Sequence, residues 1–168
     1  MRAGASTVPR VSLGRATRRG WAPPARLLAR WAAAALGRRA GRSEISVLLV
    51  GPTRSRALNA RYRGQDHATN VLSFPAQPAA AATAAAQLLG DLVICPDVLR
   101  REARQQHKRE RDHWAHLVVH GVLHLMGFDH EHDADAERME RREVRALRAL
   151  GVANPYRVTA GEAPDPHG

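Results

Sequence analysis

The sequence of 168 residues has one cysteine, one lysine and no long hydrophobic run. A single cysteine excludes an intramolecular disulfide, and the position of Cys95 in the apolar run LVIC predicts a buried core residue of a cytoplasmic protein. No stretch of about 18 apolar residues occurs, so we expect no membrane-spanning helix and no membrane partner. At 168 residues the chain is long enough for one domain with a sizeable core and too short for two, and 44% of its residues are hydrophobic, as a folded core requires.

Acidic residues are absent from residues 1–43, which carry ten arginines. Of the 26 basic residues in the chain, the 16 that lie beyond residue 43 match all 16 acids, so the net charge of +10 belongs to the amino-terminal segment. Residues 1–21 lack apolar periodicity and predict a basic, disordered extension that is dispensable for folding. We favour a solvated tail over a segment that grips RNA phosphate, and RNA grip over a transit peptide.

The remaining sequence predicts a single domain over residues 22–156, followed by a flexible tail over 157–168. An alanine-rich stretch at 76–87 predicts a surface loop. The segment 113–127 is apolar around its whole circumference, which predicts a buried helix. The predicted order is helix, strand, helix, two strands and then three helices, which favours an α+β domain in which helices cover a small sheet. The other predicted helices begin near Pro23 and cover 55–63, 97–108 and 131–151, and the predicted strands cover 44–51, 70–76 and 90–96.

The stretch HGVLHLMGFDH, residues 120–130, places three histidines in a pattern typical of a metal site. His120 and His124 lie one helical turn apart on the same face, where both imidazoles can reach one ion. Gly127 can end the helix in a left-handed conformation and return His130 to that ion. Three neutral imidazoles with one open position describe a catalytic zinc site, so we expect one Zn2+ per chain. The alternative is a set of hydrogen-bonded core histidines with Gly127 as an ordinary cap.

The spacing of these histidines matches that of metzincin proteases, with one departure. Metzincins carry a glutamate directly after the first histidine as general base, and here that position is Gly121. His116 and His113 precede the pair on the helix, and we favour a supporting hydrogen bond for them over a fourth ligand. Asp129 is expected to orient a ligand or accept a proton from water, or equally to cap the following helix.

The same motif resembles the signature of the YbeY family of bacterial rRNA maturation factors and single-strand-specific metallo-endoribonucleases. Two upstream blocks agree with that family in content and order, LNARYRGQDHATNVLSFP (58–75) and LLGDLVICPDV (88–98). The resemblance extends from about Arg26 to Tyr156. The arginine-rich extension and the alanine-rich loop depart from the family pattern.

The resemblance implies a small mixed β-sheet with helices on its faces and a zinc-bearing central helix. It implies zinc ligands at His120, His124 and His130 and a functional arginine at Arg63, so Arg63 and His120 are the candidate catalytic residues. It also implies action on single-stranded rRNA of the small ribosomal subunit or the 70S ribosome, in maturation of the 16S rRNA 3′ end and in ribosome quality control.

Some residues near these motifs have two interpretations. Thr69, Asn70 and Ser73 can contact the RNA backbone or fill turn and strand-edge roles, and Asp91 is expected at a strand start or sheet edge. Two other functions also stay open. One is a non-catalytic, zinc-stabilised assembly factor that binds RNA, and the other is a zinc hydrolase that acts on another substrate.

Overall fold

The computed structural model describes residues 6–77, 86–129 and 131–157. These residues form four strands, five α-helices and a short 3-10 helix. In chain order they are β1 (Arg10–Arg15), α1 (Ala25–Leu36), the 3-10 helix (Gly37–Arg42), β2 (Ser43–Leu49), α2 (Pro52–Arg63), β3 (Val71–Pro75), β4 (Gln87–Ile94), α3 (Pro96–Gln105), α4 (Glu110–Leu125) and α5 (Asp133–Ala149).

The four strands form one mixed sheet in the order β1-β2-β4-β3. Strands β1 and β4 run parallel to β2, whereas β3 runs antiparallel to β4. Alternate side chains of β2 are buried, as expected for a strand with only one face fully covered. The predicted α+β fold with a small mixed sheet is confirmed.

Helix α4 lies at the centre of the molecule. It contacts α1, α3 and α5 as well as strands β3 and β4. Trp114, Val119, Val122 and Leu123 on this helix are completely buried. A helix enclosed on all sides needs apolar residues around its circumference, which is the pattern that predicted its burial. The histidines of the motif are therefore carried by the most enclosed helix of the fold.

The amino-terminal segment contains a strand, so the prediction of disorder over residues 1–21 is wrong for residues 10–15. Strand β1 pairs with β2 along its length, and Val11 and Leu13 pack against the core. Further along, the ring of Trp21 meets the buried ring of Trp114 edge-on, with centroids 6.4 Å apart. Two apolar residues at a spacing of two are too short a pattern to identify a strand, and the pairing partner lies more than thirty residues away.

The other predicted elements form with small shifts at their ends. The strand expected over 90–96 begins earlier, at Gln87, and the helix that follows it begins at Pro96. Most of the predicted alanine-rich loop, residues 78–85, lies outside the described residues, as do His130 and residues 158–168 of the predicted tail. Among the helices of the described residues, none has the length and apolar character needed to cross a bilayer.

Candidate active site

Histidines at a spacing of four residues form a stripe along α4. His116, His120 and His124 share one face of the helix, and the ring centroids of His120 and His124 are 4.6 Å apart. The helix ends just beyond the stripe at Gly127, which has a φ of +98°. Its N–H donates to the carbonyl of His124, as in a Schellman turn, so the predicted glycine cap is confirmed.

The imidazoles of His120 and His124 face each other across a short gap. The Nδ1–H of His120 donates to Glu143 Oε1 at 2.5 Å, and the Nδ1–H of His124 donates to the carbonyl of Phe128 at 2.9 Å. This hydrogen-bond network assigns the proton to Nδ1 in both rings and leaves a lone pair on each Nε2. The two Nε2 atoms are 3.1 Å apart. Two lone pairs at that distance repel unless a cation or a proton lies between them.

The spacing of this pair fits a metal ion. Two nitrogen ligands at the usual zinc–nitrogen distance in a tetrahedral site lie about 3.3 Å from each other. A carboxylate or carbonyl on the remote nitrogen of each ring is also the usual support of a metal-binding histidine. Glu143 and the Phe128 carbonyl occupy these positions.

Glu143 is the buried acid of the site, with an exposure of 1%. Its carboxylate accepts hydrogen bonds from His116, His120 and the hydroxyl of Tyr156. Burial alone would raise the pKa of Glu143, but these three donors outweigh it and lower the pKa to about 2. Burial in turn lowers the pKa of His116 below its ordinary value, against the opposing effect of Glu143. Glu143 is thus a carboxylate, and His116 is neutral, at pH 7.

His116, His120 and Glu143 can also hold a metal ion directly, because one ligand atom from each lies within 4.8 Å of the others. In that arrangement an ion would have to displace the hydrogen bonds that Glu143 accepts from both rings. The described residues therefore include one cluster, on α4 and α5, that could hold a metal ion.

Sequence reasoning missed Glu143 and Tyr156. Glu143 lies on the buried face of α5, between Met139 and Leu147. A carboxylate at an apolar position of an amphipathic helix is a detectable signal of a buried partner. The sequence holds no equivalent signal for Tyr156, which follows the end of that helix.

A cleft of about 540 Å³ opens in front of the histidine pair. Arg63, at the end of α2, lines it together with His120 and His124. Arg63 is exposed, and within the described part of the chain it makes no ion pair or side-chain hydrogen bond. The described lining residues also include the predicted RNA contacts Thr69, Asn70 and Ser73, and Asp129, the predicted orienting residue or proton acceptor.

The loop between α2 and β3 forms one wall of the cleft and is held in place by polar contacts. The hydroxyl of Ser55 donates to the carbonyl of Thr69 and accepts from its N–H, both at 2.9 Å. The buried amide of Asn59 donates to the carbonyl of His67 at 2.8 Å. The hydrogen bonds of the Thr69 backbone support its predicted role as a turn residue. Thr69 also lines the cleft, so the predicted contact with RNA stays a prediction.

Asn70 belongs to a second polar cluster beneath this wall. Its amide donates to both oxygens of Glu102, at 2.9 and 3.2 Å, and His113 Nε2 contacts the same carboxylate at 3.1 Å. Burial alone would raise the pKa of Glu102, but hydrogen bonds from His113 and Asn70 bring it below its ordinary value. Asn70 therefore joins the loop wall to α3, and His113 joins α4 to α3 instead of contacting the histidine pair.

Gly121 faces the sheet, because one residue along a helix turns about 100° away from the metal face. A Cβ there would approach Leu92 Cδ2 to 2.8 Å, and the hydroxyl of Ser73 donates to the Gly121 carbonyl at 3.2 Å. The position that bears the metzincin glutamate thus has no room for a carboxylate in this fold. The glycine serves close packing between α4 and the sheet.

The two aspartates differ from their predicted structural roles. Asp129 lies in the cleft, and its Oδ1 accepts the Glu131 N–H at 3.3 Å. The N-cap position of α5 is occupied by His132, without a capping hydrogen bond from its side chain, so the alternative of Asp129 as the cap is wrong. Asp91 is the fifth residue of β4, an interior strand, and so is neither a strand start nor a sheet edge.

Known proteins resemble this chain over most of its length. The model of a family described as Endoribonuclease YbeY matches residues 25–151. A protein named Endoribonuclease YbeY from Halorhodospira halophila is 58% identical over 114 residues, covering 67% of this chain and 74% of its own. Proteins of that name from Alkalilimnicola ehrlichii and Stenotrophomonas maltophilia are 51% and 46% identical, covering 81% and 90% of this chain and 83% and 94% of their own.

The fold also matches a solved structure. The solution structure of TM1509 from Thermotoga maritima superposes with a TM-score of 0.52, covering 91% of this chain and 98% of its own, at 24% identity. That identity supports the fold alone. The family match and the identities of 46–58% together show that the chain belongs to the YbeY endoribonuclease family.

Proposed function

We propose that this protein is a single-strand-specific, zinc-dependent endoribonuclease that matures the 3′ end of 16S rRNA and acts in ribosome quality control. The zinc ligands are His120, His124 and His130. The observation that carries the proposal is the 3.1 Å gap between the Nε2 atoms of His120 and His124, with both Nδ1 protons committed elsewhere.

Zinc suits this donor set because imidazole nitrogens are among its usual ligands, and three of them leave one position open for substrate. When bound, zinc supplies a Lewis acid that polarises a phosphate oxygen or lowers the pKa of water to about 7. Glu143 orients His120 and raises the basicity of its Nε2. The Phe128 carbonyl does the same for His124.

Arg63 binds the phosphate of the scissile bond in this proposal. Its guanidinium lines the same cleft as the histidine pair and has no other partner among the described residues. A planar guanidinium can hold two phosphate oxygens and stabilise the charge that develops on them in the transition state. Asp129 also lines the cleft and is the proposed proton acceptor.

The proposed substrate is single-stranded rRNA in the small subunit or the 70S ribosome, within the cytoplasm. Unpaired bases can enter a cleft of about 540 Å³ and stack on an aromatic ring such as Phe128, which lines it. Bases in a duplex are stacked inside the helix and cannot enter in this way. Asn70 and Ser73 also line this cleft.

The test is cleavage of single-stranded and duplex fragments of 16S rRNA by zinc-loaded protein, with the ends of the products mapped. We expect internal cuts in the single strand only. His124→Ala removes a ligand and should lose zinc and cleavage together, whereas His107→Asn changes an exposed histidine with positive φ and should keep both. Zinc-loaded, folded protein that binds RNA without cutting it would contradict the proposal and identify a non-catalytic assembly factor.

A further inference from the structure

We infer that an arginine-lined groove beside the cleft binds the phosphate backbone of the RNA segment that flanks the cleavage site. The inference rests on the proposed function, because it extends the substrate path of the same site. We name this cavity the arginine groove. It has a volume of about 740 Å³, and its wall consists of Arg138, Arg141, Arg142 and Arg145 of α5.

The four arginines form one ridge on the surface of α5. Their spacing of three, four and seven residues keeps them on one side of the helix over about 10 Å of its axis. All four are exposed, and none makes an ion pair or side-chain hydrogen bond within the described part of the chain. The floor is made of small residues, chiefly alanines of α1 and α5, so the guanidinium groups stand above an open surface.

The groove carries charge of a single sign. Among the described residues that line it there is no acid, although α5 also contains exposed glutamates such as Glu137 and Glu140. Like charges on adjacent turns of a helix destabilise it slightly, so a ridge of this kind costs the fold free energy. A polyanion that lies along it removes this repulsion and releases its own counterions.

Phe128 connects the groove to the cleft, because its ring lines both cavities. The guanidinium carbon of Arg142 lies 4.9 Å from the centre of that ring. Phe128 is half-buried against the core, and an unpaired base can stack on an aromatic ring and an adjacent guanidinium of this kind. A strand that leaves the histidine pair therefore meets Phe128 and then the arginine ridge.

A second basic cavity adjoins the arginine groove. Gly37 lines the groove and also a further cavity of about 560 Å³, which contains Arg38, Arg39 and Arg42 of the 3-10 helix. No acid lines that cavity among the described residues. Three of the ten arginines that make residues 1–43 basic thus line a cavity that shares Gly37 with the arginine groove.

This layout favours RNA over an acidic protein partner. An acidic protein would require complementary charge but no connection to the cleft, whereas a cleaved strand must run on from it. The continuity through Phe128, the aromatic stacking surface and the linear row of cations all suit a single strand. The charge requirement alone would suit either partner.

The test compares a groove variant with a variant of equal charge loss. The groove variant is Arg138→Gln, Arg141→Gln and Arg145→Gln, and the control is Arg101→Gln, Arg104→Gln and Arg111→Gln, which are exposed on α3 and α4 and lie outside both cavities. Each zinc-loaded protein is titrated with a short and a long single strand that share the same central sequence. The strands are 2′-O-methylated, so they keep every phosphate but resist cleavage, and the titration is repeated over a range of salt concentrations.

We expect the wild type and the control to bind the long strand more tightly than the short one, and the groove variant to lose most of this difference. The slope of log affinity against log salt for the long strand should become shallower by about 2, since each lost phosphate contact removes roughly 0.7 on a single strand. Cleavage of a short unmodified RNA should stay unchanged in the groove variant.

Equal length dependence and equal salt slopes in wild type and groove variant would overturn the inference and assign the ridge to another acidic partner. Equal losses in groove variant and control would overturn it as well, since any removed charge would then suffice. If the proposed function is wrong, the cleavage assay fails but the binding assay need not, because a protein that does not cut RNA can still bind a long strand more tightly than a short one. The binding arm therefore tests the groove separately from the chemistry.

Discussion

Residues of the active site depend on partners that lie far away in the chain. His120 and His124 are adjacent on one helix, but Glu143, which fixes the proton of His120, lies 23 residues further along. The proton position decides the chemistry, because an imidazole binds a metal only through an unprotonated nitrogen. Substitutions at this scale should therefore separate ligands, orienting residues and substrate contacts.

The first prediction concerns Arg63, the proposed substrate contact. Arg63→Ala should lower the rate of RNA cleavage by an amount that corresponds to about 2–4 kcal/mol, as for other preorganised transition-state contacts. Zinc content and melting temperature should stay near wild type, because the exposed side chain holds no other residue in place. The matched control is Arg61→Ala, an exposed arginine on the same helix whose guanidinium lies over Tyr62. Single-turnover cleavage that matches wild type would show that Arg63 is a surface residue only.

The second prediction concerns the orienting residue Glu143. Glu143→Gln keeps the shape of the side chain but removes the charge that fixes the Nδ1 proton of His120. Zinc affinity should fall roughly 10–100-fold, the usual loss for an outer-sphere partner of a metal ligand. Competition with a chelator measures it, with the exposed Glu137→Gln on the same helix as control. Unchanged affinity in Glu143→Gln would mean that the hydrogen bond does not tune the site.

Elements whose pattern is local could be predicted from the sequence, and features made by long-range contacts could not. The helices and the strands β2, β3 and β4 follow from periodicity, and the cap at Gly127 follows from its spacing to His124. Strand β1 has only Val11 and Leu13 as apolar residues, and its partner β2 becomes visible only in the fold. The contact of Glu143 with the histidines could not be predicted either, because sequence spacing carries no information about which helix will face them.

The third prediction concerns the loss of stability when β1 is removed. A chain that begins at Trp21 loses the parallel partner of β2 and the partly buried Val11 and Leu13. We expect its free energy of unfolding to fall by about 2 kcal/mol, the effect of exposing two half-buried aliphatic side chains. Urea unfolding measures this loss, and a chain that begins at Pro9 and retains β1 is the control. A chain from Trp21 with wild-type stability would restore the view that this segment is dispensable.

The fourth prediction concerns the contact of α3 with α4 and the loop wall. The pKa of Glu102 is below its ordinary value in the folded protein, so the carboxylate stabilises the fold above the unfolded-state pKa of about 4.3 and loses this contribution as the pH falls below it. Glu102→Gln should therefore be less stable than wild type at pH 7, and the gap should narrow on acidification. Urea unfolding of both metal-free proteins, at pH 7 and at a pH below about 4.3, measures the difference in their free energies of unfolding. A difference that grows in acid would contradict the prediction.

On the scale of the whole molecule, the site and the core are built by different residues of the same helix. Trp114, Val119 and Leu123 of α4 fill the core, while His120 and His124 face the cleft. The core contains apolar residues from both the sheet and the helices, so burial rather than metal binding accounts for the fold. A metal ion bound at the candidate site would therefore bind a scaffold that is already folded, unlike the zinc of a small finger domain.

The last prediction follows from that division. Chelation of zinc should abolish RNA cleavage while the circular dichroism spectrum stays that of the folded protein. The melting temperature should drop, because a ligand that binds only the folded state stabilises it by about 2.7 kcal/mol at a hundred times its dissociation constant. Addition of zinc should restore both cleavage and melting temperature, and His124→Ala should respond to neither step, since it already lacks a ligand. If chelation instead unfolds the wild type, zinc is a structural ion here, and the loss of cleavage would no longer report on catalysis.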